Sequence, residues 1–147
     1  KGRKRTHFYK EFDEGIPGYE VKFKWKGKWL SVEYDSSGQW QDTEVRIPFK
    51  SLSPSVQAAI ESMLNTTYIK WKVDKVQKQY SRYEGKNRWQ DDFIAGSNDA
   101  FSVRIELECT ARSETGSYKS YEHLFDHNGK LISHRTIEDP SLNNILH

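Results

Sequence analysis

The sequence has one cysteine, no hydrophobic run of membrane-spanning length and almost no net charge. Cys109 is the only cysteine in 147 residues, so no intramolecular disulfide forms, and neither a cysteine-based zinc site nor a redox pair can be built. It reads as a small buried hydrophobe. No stretch approaches the roughly 20 apolar residues that a membrane helix needs, which argues against membrane insertion. The 23 basic and 21 acidic side chains nearly cancel to +2. A nucleic acid or an anionic membrane usually calls for a concentrated basic face, so neither is expected as the main partner. The one basic cluster, Lys1-Gly2-Arg3-Lys4-Arg5, reads as a solvated terminus. No secretory signal precedes Lys1, and a chain that opens on lysine instead of methionine says little about compartment.

Chemistry-bearing motifs are missing as well. There is no Gly-x-Ser-x-Gly elbow, no Cys/His nucleophile pattern and no phosphate-cradling glycine loop. The carboxylate pairs Glu106/Glu108 and Asp13/Glu14 come with nothing that raises a pKa or builds a cleft around them, as general acid catalysis requires. Asp91, Asp92 and Asp99 match no ordered calcium loop. His123 and His134 flank a turn. A two-residue loop would set them opposite, whereas a longer loop pairs His123 with Ser133, and no third ligand converges on them. The expectation is a non-enzyme with no metal and no cofactor.

What the chain does have is alternation and aromatics. Tyr19, Val21, Phe23 and Trp25 alternate with Glu20, Lys22, Lys24 and Lys26, which predicts a strand with an apolar buried face and a wet face. Trp29–Tyr34 and Gln39–Ile47 continue a meander, with Asp35-Ser36-Ser37-Gly38 suited to a type I turn ending in a left-handed residue. From Ser53 to Leu64 the period changes. Val56, Ala59, Ile60, Met63 and Leu64 form one helix face, Ser53 suits the N-cap, Pro54 the first helical position, and Asn65-Thr66-Thr67 the end. Strand alternation returns over Ile69–Gln79, Phe101–Cys109, Tyr118–Phe125 and Lys130–Ile137, with a turn at Asp126-His127-Asn128-Gly129. Aromatics make up 14% of residues, so they are expected to fill much of the core.

Two segments then match in order. Tyr19–Trp25 corresponds to Phe101–Leu107, and the Tyr34-to-Gly38 turn to the Phe125-to-Gly129 turn. The expected architecture is α+β: tandem antiparallel β-meander units with one helix packed on the sheet, in a single domain over residues 1–147. Unit one covers about 1–50 and unit two about 51–138, with a long insertion at 81–100. If the copies are equivalent, the first has its entry strand at Arg5–Phe12, and its own helix is missing or lies before Lys1.

The run from Lys28 to Val45, followed by Leu52-Ser53-Pro54 through Ile60 and the Ile69–Val76 strand, resembles the secreted PepSY-like proteins of Bacteroidetes, also called β-lactamase-inhibitor-like proteins. The resemblance spans roughly Gly18 to Ile137. It implies tandem helix-plus-meander units, a periplasmic or secreted setting and a binding or inhibitory role without known chemistry. The chain departs from that pattern at Ser53, where a proline is usual, and in the length of the 81–100 segment.

The expected function is a non-catalytic exported binding or inhibitor-like module that contacts a protein or peptide through a sheet face and the 81–100 loop. The alternative is a small-ligand or glycan binder with aromatic platforms on a curved sheet. Aromatic and arginine side chains on turns and loops offer large contact area at modest entropic cost. Trp40, Tyr83, Arg88, Trp89, Phe93 and Tyr118 are the candidates.

Overall fold

The computed structural model describes residues 6–13, 15–82 and 101–137. The elements run β1 (His7–Asp13), β2 (Ile16–Trp25), β3 (Lys28–Asp35), β4 (Trp40–Arg46), a 3-10 turn (Phe49–Ser51), α1 (Pro54–Thr67), β5 (Lys70–Arg82), β6 (Phe101–Arg112), β7 (Lys119–Asp126) and β8 (Leu131–Ile137). The strands follow chain order in one antiparallel sheet, confirming the α+β meander class. By internal contacts the chain forms two compact units. The first is Lys1–Arg46 with Lys78–Val103, and the second is Ile47–Gln77 with Arg104–His147. Ser81 and Arg82 belong to β5 and not to a loop; the rest of the expected insertion lies outside the described residues.

Local chemistry explains the turns. Lys26 and Gly27 both have positive φ, at 47° and 81°, which a two-residue hairpin between right-twisted strands favours. Asp35 and Asp126 build the same five-residue turn. Asp35 Oδ1 accepts from the backbone N–H groups of Ser37 and Gln39, and Asp126 Oδ1 accepts from those of Asn128 and Lys130. Gly38 and Gly129 close the turns at φ 80° and 85°. Each turn is followed by one skipped residue, with register shifts at Glu33/Tyr34 and at Leu124/Phe125.

This shared geometry corrects the alignment of the copies. Tyr34 pairs with Tyr19 just as Phe125 pairs with Ile105. Tyr19, Val21, Phe23 and Trp25 therefore correspond to Ile105, Leu107, Cys109 and Ala111, four residues beyond the match read from sequence. Four is an even offset, so the sheet face is unchanged.

In the second unit α1 covers that face. Val56, Ile60 and Leu64 are buried against Ile105, Leu107, Cys109, Ala111 and Phe125. The helix starts as expected, with Ser53 at the N-cap and Pro54 following, although the Ser53 side chain makes no capping hydrogen bond. It runs three residues past Leu64, because Thr66 and Thr67 turn their hydroxyls back onto the carbonyls of Ser62 and Met63 instead of breaking the ladder.

In the first unit the predicted burial is met only in part: Leu30 and Trp40 of the apolar face are buried and Val21 and Phe23 half-buried. Tyr19 is 46% and Trp25 53% exposed, whereas Glu20, expected on the wet face, is only 4% exposed. The physical reason is local. Among the described residues of this unit no helix is laid on the apolar face, while Glu20 is enclosed by Ser31, whose hydroxyl donates to its carboxylate, and by Lys22 Nζ at 2.8 Å.

Candidate functional site

An open cleft of about 540 Å³ lies in the second unit where β5 begins and β6 ends, lined by Ile69, Lys70, Trp71, Lys72, Asp74, Thr110 and Tyr118. The C-terminus of α1 places its floor. Tyr68 caps the helix by donating its N–H to Leu64 O, and the Ile69 N–H donates to Arg112 O. Trp71 is held by an Nε1 hydrogen bond of 2.9 Å to Asn65 Oδ1. Asp74 is held by Thr110 Oγ1 at 2.7 Å and by Lys72 Nζ at 3.7 Å. On the rim, Ile69 and Tyr118 are 52% and 55% exposed, and the Arg112 guanidinium stands 5.7 Å from the Tyr118 ring. Lys70 and Lys72 outnumber Asp74 in the lining, so the cleft combines apolar contact area with positive charge.

The sheet face opposite α1 carries charge ladders. Lys75 bridges Glu108 and lies 3.9 Å from Glu106. Gln77 Nε2 donates to Glu106 at 3.1 Å. Arg135 holds Glu122 through two bonds of 2.8 and 3.1 Å. Two carboxylate triads are close enough to share a cation, Glu20/Glu33/Glu44 in the first unit and Glu106/Glu108/Glu122 in the second, with ligand atoms within 4.8 Å of one another. Oxygen-only sets suit hard divalent cations. Lys22, Lys75 and Arg135 already supply positive charge beside them.

Beneath α1 lies a buried polar cluster. Tyr68 Oη is 3.0 Å from His123 Nε2, and Cys109 Sγ is 3.8 Å from His123 Nδ1. Burial, helped by neighbouring His134, pushes His123 down to about 4. Burial pushes the Cys109 thiol up to about 12. A fully enclosed thiol with a raised pKa is a poor nucleophile, so this Cys/His pair packs the core. The register places His123 directly opposite His134, with ring centroids 5.9 Å apart. The longer loop alone would have paired His123 with Ser133; the bulge at Leu124/Phe125 restores the direct pairing. Both His123 nitrogens face protein groups.

Of the residues singled out from sequence, Tyr118 lines the cleft. Trp40 instead packs in the first unit with Val32, Tyr34 and Tyr80, its indole N–H donating to Thr43 Oγ1 at 2.9 Å, and it is dropped as a contact residue. Tyr83, Arg88, Trp89 and Phe93 lie outside the described residues, as do Asp91, Asp92 and Asp99. In the sequence Ile69 and Trp71 carry only a strand signal; the mark of a site is Ile69 as an apolar residue at the α1–β5 junction. The triad of Glu20, Glu33 and Glu44 had no sequence signal, since it depends on three strands in register.

No family model matches the chain, and neither does any curated protein. Solved structures do share its fold. A DUF2874 family protein from Bacteroides ovatus is 20% identical with a TM-score of 0.57, the match covering 90% of this chain and 77% of that one. A second, from Bacteroides uniformis, is 16% identical with a TM-score of 0.55, over 91% and 79%. A BLIP-like protein from Bacteroides fragilis is 19% identical with a TM-score of 0.52, over 90% and 75%. At these identities the likeness is one of fold. It supports a BLIP-like arrangement and does not single out the PepSY-like group.

Proposed function

We propose that this chain is a non-catalytic, exported binding module of the inhibitor-like kind, which contacts a protein or peptide through the Ile69–Trp71–Tyr118 cleft and the charged sheet face beside it. The supporting observation is the cleft: exposed Ile69 and Tyr118, each one residue before a strand, lie beside half-buried Trp71, with Lys70 and Lys72 in the lining and the Arg112 guanidinium over the Tyr118 ring. Aromatic and arginine anchors of this type carry most of the energy in protein interfaces. The BLIP-like fold of the neighbours and the PepSY-like resemblance agree with this reading.

A second reading, a small-ligand or glycan binder, draws on the same cleft because Trp71 and Tyr118 both line it. Its volume falls within the range of ligand pockets. Its walls are half open, however, and a small ligand bound there would keep much of its surface in water. A protein partner brings surrounding surface of its own.

The test is site-directed photo-crosslinking from position 118 in an extract of the producing cell, followed by affinity measurement on the captured protein. Tyr118→Ala and Lys72→Glu should each weaken binding at least tenfold while leaving the thermal transition in place. Binding unchanged by both variants would overturn the cleft assignment. Saturable binding of a purified glycan at the cleft, with no protein captured, would favour the second reading.

A further inference from the structure

Lys22, Lys75 and Arg135 each sit beside a carboxylate, that of Glu20, Glu108 and Glu122 respectively. Arg112 does not. It is the last residue of β6, where its carbonyl accepts the N–H of Ile69, and it is half-buried. Its Nε is enclosed by protein and has no hydrogen-bond partner. Among the described residues the guanidinium makes no ion pair, and its one ring contact is with Tyr118 at 5.7 Å. Glu114, two residues further on, forms no bridge to it. Asp74, the acidic residue of the cleft lining, is already held by Thr110 Oγ1 and Lys72 Nζ.

A guanidinium carries five N–H donors, no acceptor and a permanent charge. Stacking against a tyrosine ring orients it but satisfies none of those donors. A cation that is already partly stripped of water gains more from an arriving anion than one in bulk solvent. With Nε enclosed, Nη1 and Nη2 are the pair left to that anion. Their planar fork matches a carboxylate through two parallel hydrogen bonds. Asp74 stands in the same cleft, so a phosphate monoester would be repelled about 1.5 to 2 times as strongly as a single carboxylate. Exposed Ile69 and Tyr118 next to the cation call for an apolar neighbour on the ligand.

We propose that the partner at the cleft is recognised by the side-chain carboxylate of an aspartate or glutamate adjoining a large apolar residue. The carboxylate sits on the Arg112 guanidinium, and the apolar side chain lies against Ile69, Trp71 and Tyr118. This inference rests on the cleft being a protein-binding site and adds what is read there: an acidic–apolar surface segment. Arg112 is the residue that sets the specificity, while Lys70 and Lys72 add attraction at longer range.

The probe is a phage-displayed library of random heptapeptides, fused through their C-termini so that no free α-carboxylate is present. It is selected in parallel on the parent chain, Arg112→Gln and Tyr118→Ala, each first shown to keep its thermal transition. Sequences enriched on the parent should carry Asp or Glu beside Leu, Ile, Phe, Tyr or Trp. On Arg112→Gln the apolar preference should remain and the acidic preference should vanish. In a synthetic copy of the strongest sequence, replacing the acid by its amide should weaken binding to the parent about tenfold, and to Arg112→Gln less than about twofold. Arg112→Lys keeps the charge and loses the fork, so its acid-to-amide ratio should fall between the two; it carries the comparison alone if Arg112→Gln does not fold. Apolar sequences with no acidic preference, or an acidic preference unchanged in the Arg112 variants, would overturn this proposal and leave the cleft reading standing. Tighter binding of the same peptide with phosphoserine at the acidic position would also overturn it, in favour of a phosphopeptide. Enrichment that Tyr118→Ala leaves intact, or no enrichment at all, would bring down the cleft reading itself and this inference with it.

Discussion

Replacing each turn glycine by alanine isolates the contact between a turn and a helix. Gly38 and Gly129 have nearly the same φ, 80° and 85°, so the left-handed penalty on alanine is the same at both, about 1–2 kcal/mol. Alanine also restricts the unfolded chain, which offsets about 0.4–1 kcal/mol of that loss. Gly38→Ala should therefore destabilise by about 0.5–1 kcal/mol. At Gly129 the new methyl also meets Val56 O and Ala59 Cβ at 3.1 Å. One of these is helix backbone and the other a short side chain, so neither can swing away. Overpacking of this kind adds about 1–3 kcal/mol, for a total of about 2–4. In urea, with slopes of about 1–3 kcal/mol per molar, Gly129→Ala should lower the midpoint by about 1–2 M and Gly38→Ala by about 0.5 M or less. Circular dichroism at 222 nm reports α1 directly. Equal midpoint shifts would refute the reasoning, since they would mean that the turn and α1 yield freely to each other.

Three further outcomes follow from the same structure. His123 is held near 4 in the folded chain against an unperturbed value of 6.5; the unfolded chain binds the extra proton between those values, so stability is complete above about pH 6.5 and falls towards pH 4 by up to about 3 kcal/mol. His123→Phe should flatten that slope in urea melts recorded from pH 7 to 4, and an unchanged slope would place the titration elsewhere. Leu64→Ala, which empties the floor beneath α1, should cost about 2–5 kcal/mol in thermal or chemical melts, while Tyr118→Ala should stay within about 0.5 kcal/mol of the parent. Trp40→Phe removes the indole donor to Thr43 Oγ1 and should destabilise the first unit by about 1–2 kcal/mol, seen as an earlier loss of hydrogen-exchange protection in β3 and β4.

Strand positions, the helix start and both Asp-x-x-Gly turns were legible because each rests on local rules: a period of two, a period near 3.6, a proline at the first helical position and glycines at positive φ. The end of α1 was misread because Thr66 and Thr67 can either break a helix or bond back onto it, and only their surroundings choose. The His123–His134 pairing was left open between two loop lengths, and the bulge at Leu124/Phe125 that decides it has no sequence mark. Of the candidate site, Tyr118 was visible as an exposed aromatic near a connection, but Ile69 and Trp71 join it only because the end of α1 and the end of β6 deliver them to one cleft.

The sequence by itself determined that this chain is a pair of meanders with a helix between them, because hydrophobic period and turn chemistry are properties of neighbours along the chain. It also settled that Cys109 has no cysteine to pair with among these 147 residues. Which face of each meander is sealed was decided only in three dimensions. The alternation at Tyr19–Trp25 is as clean as that at Ile105–Ala111, yet the apolar side chains of the first are half-buried or exposed and those of the second are fully buried. Alternation specifies that a face is apolar; burial depends on whether another element is laid across it.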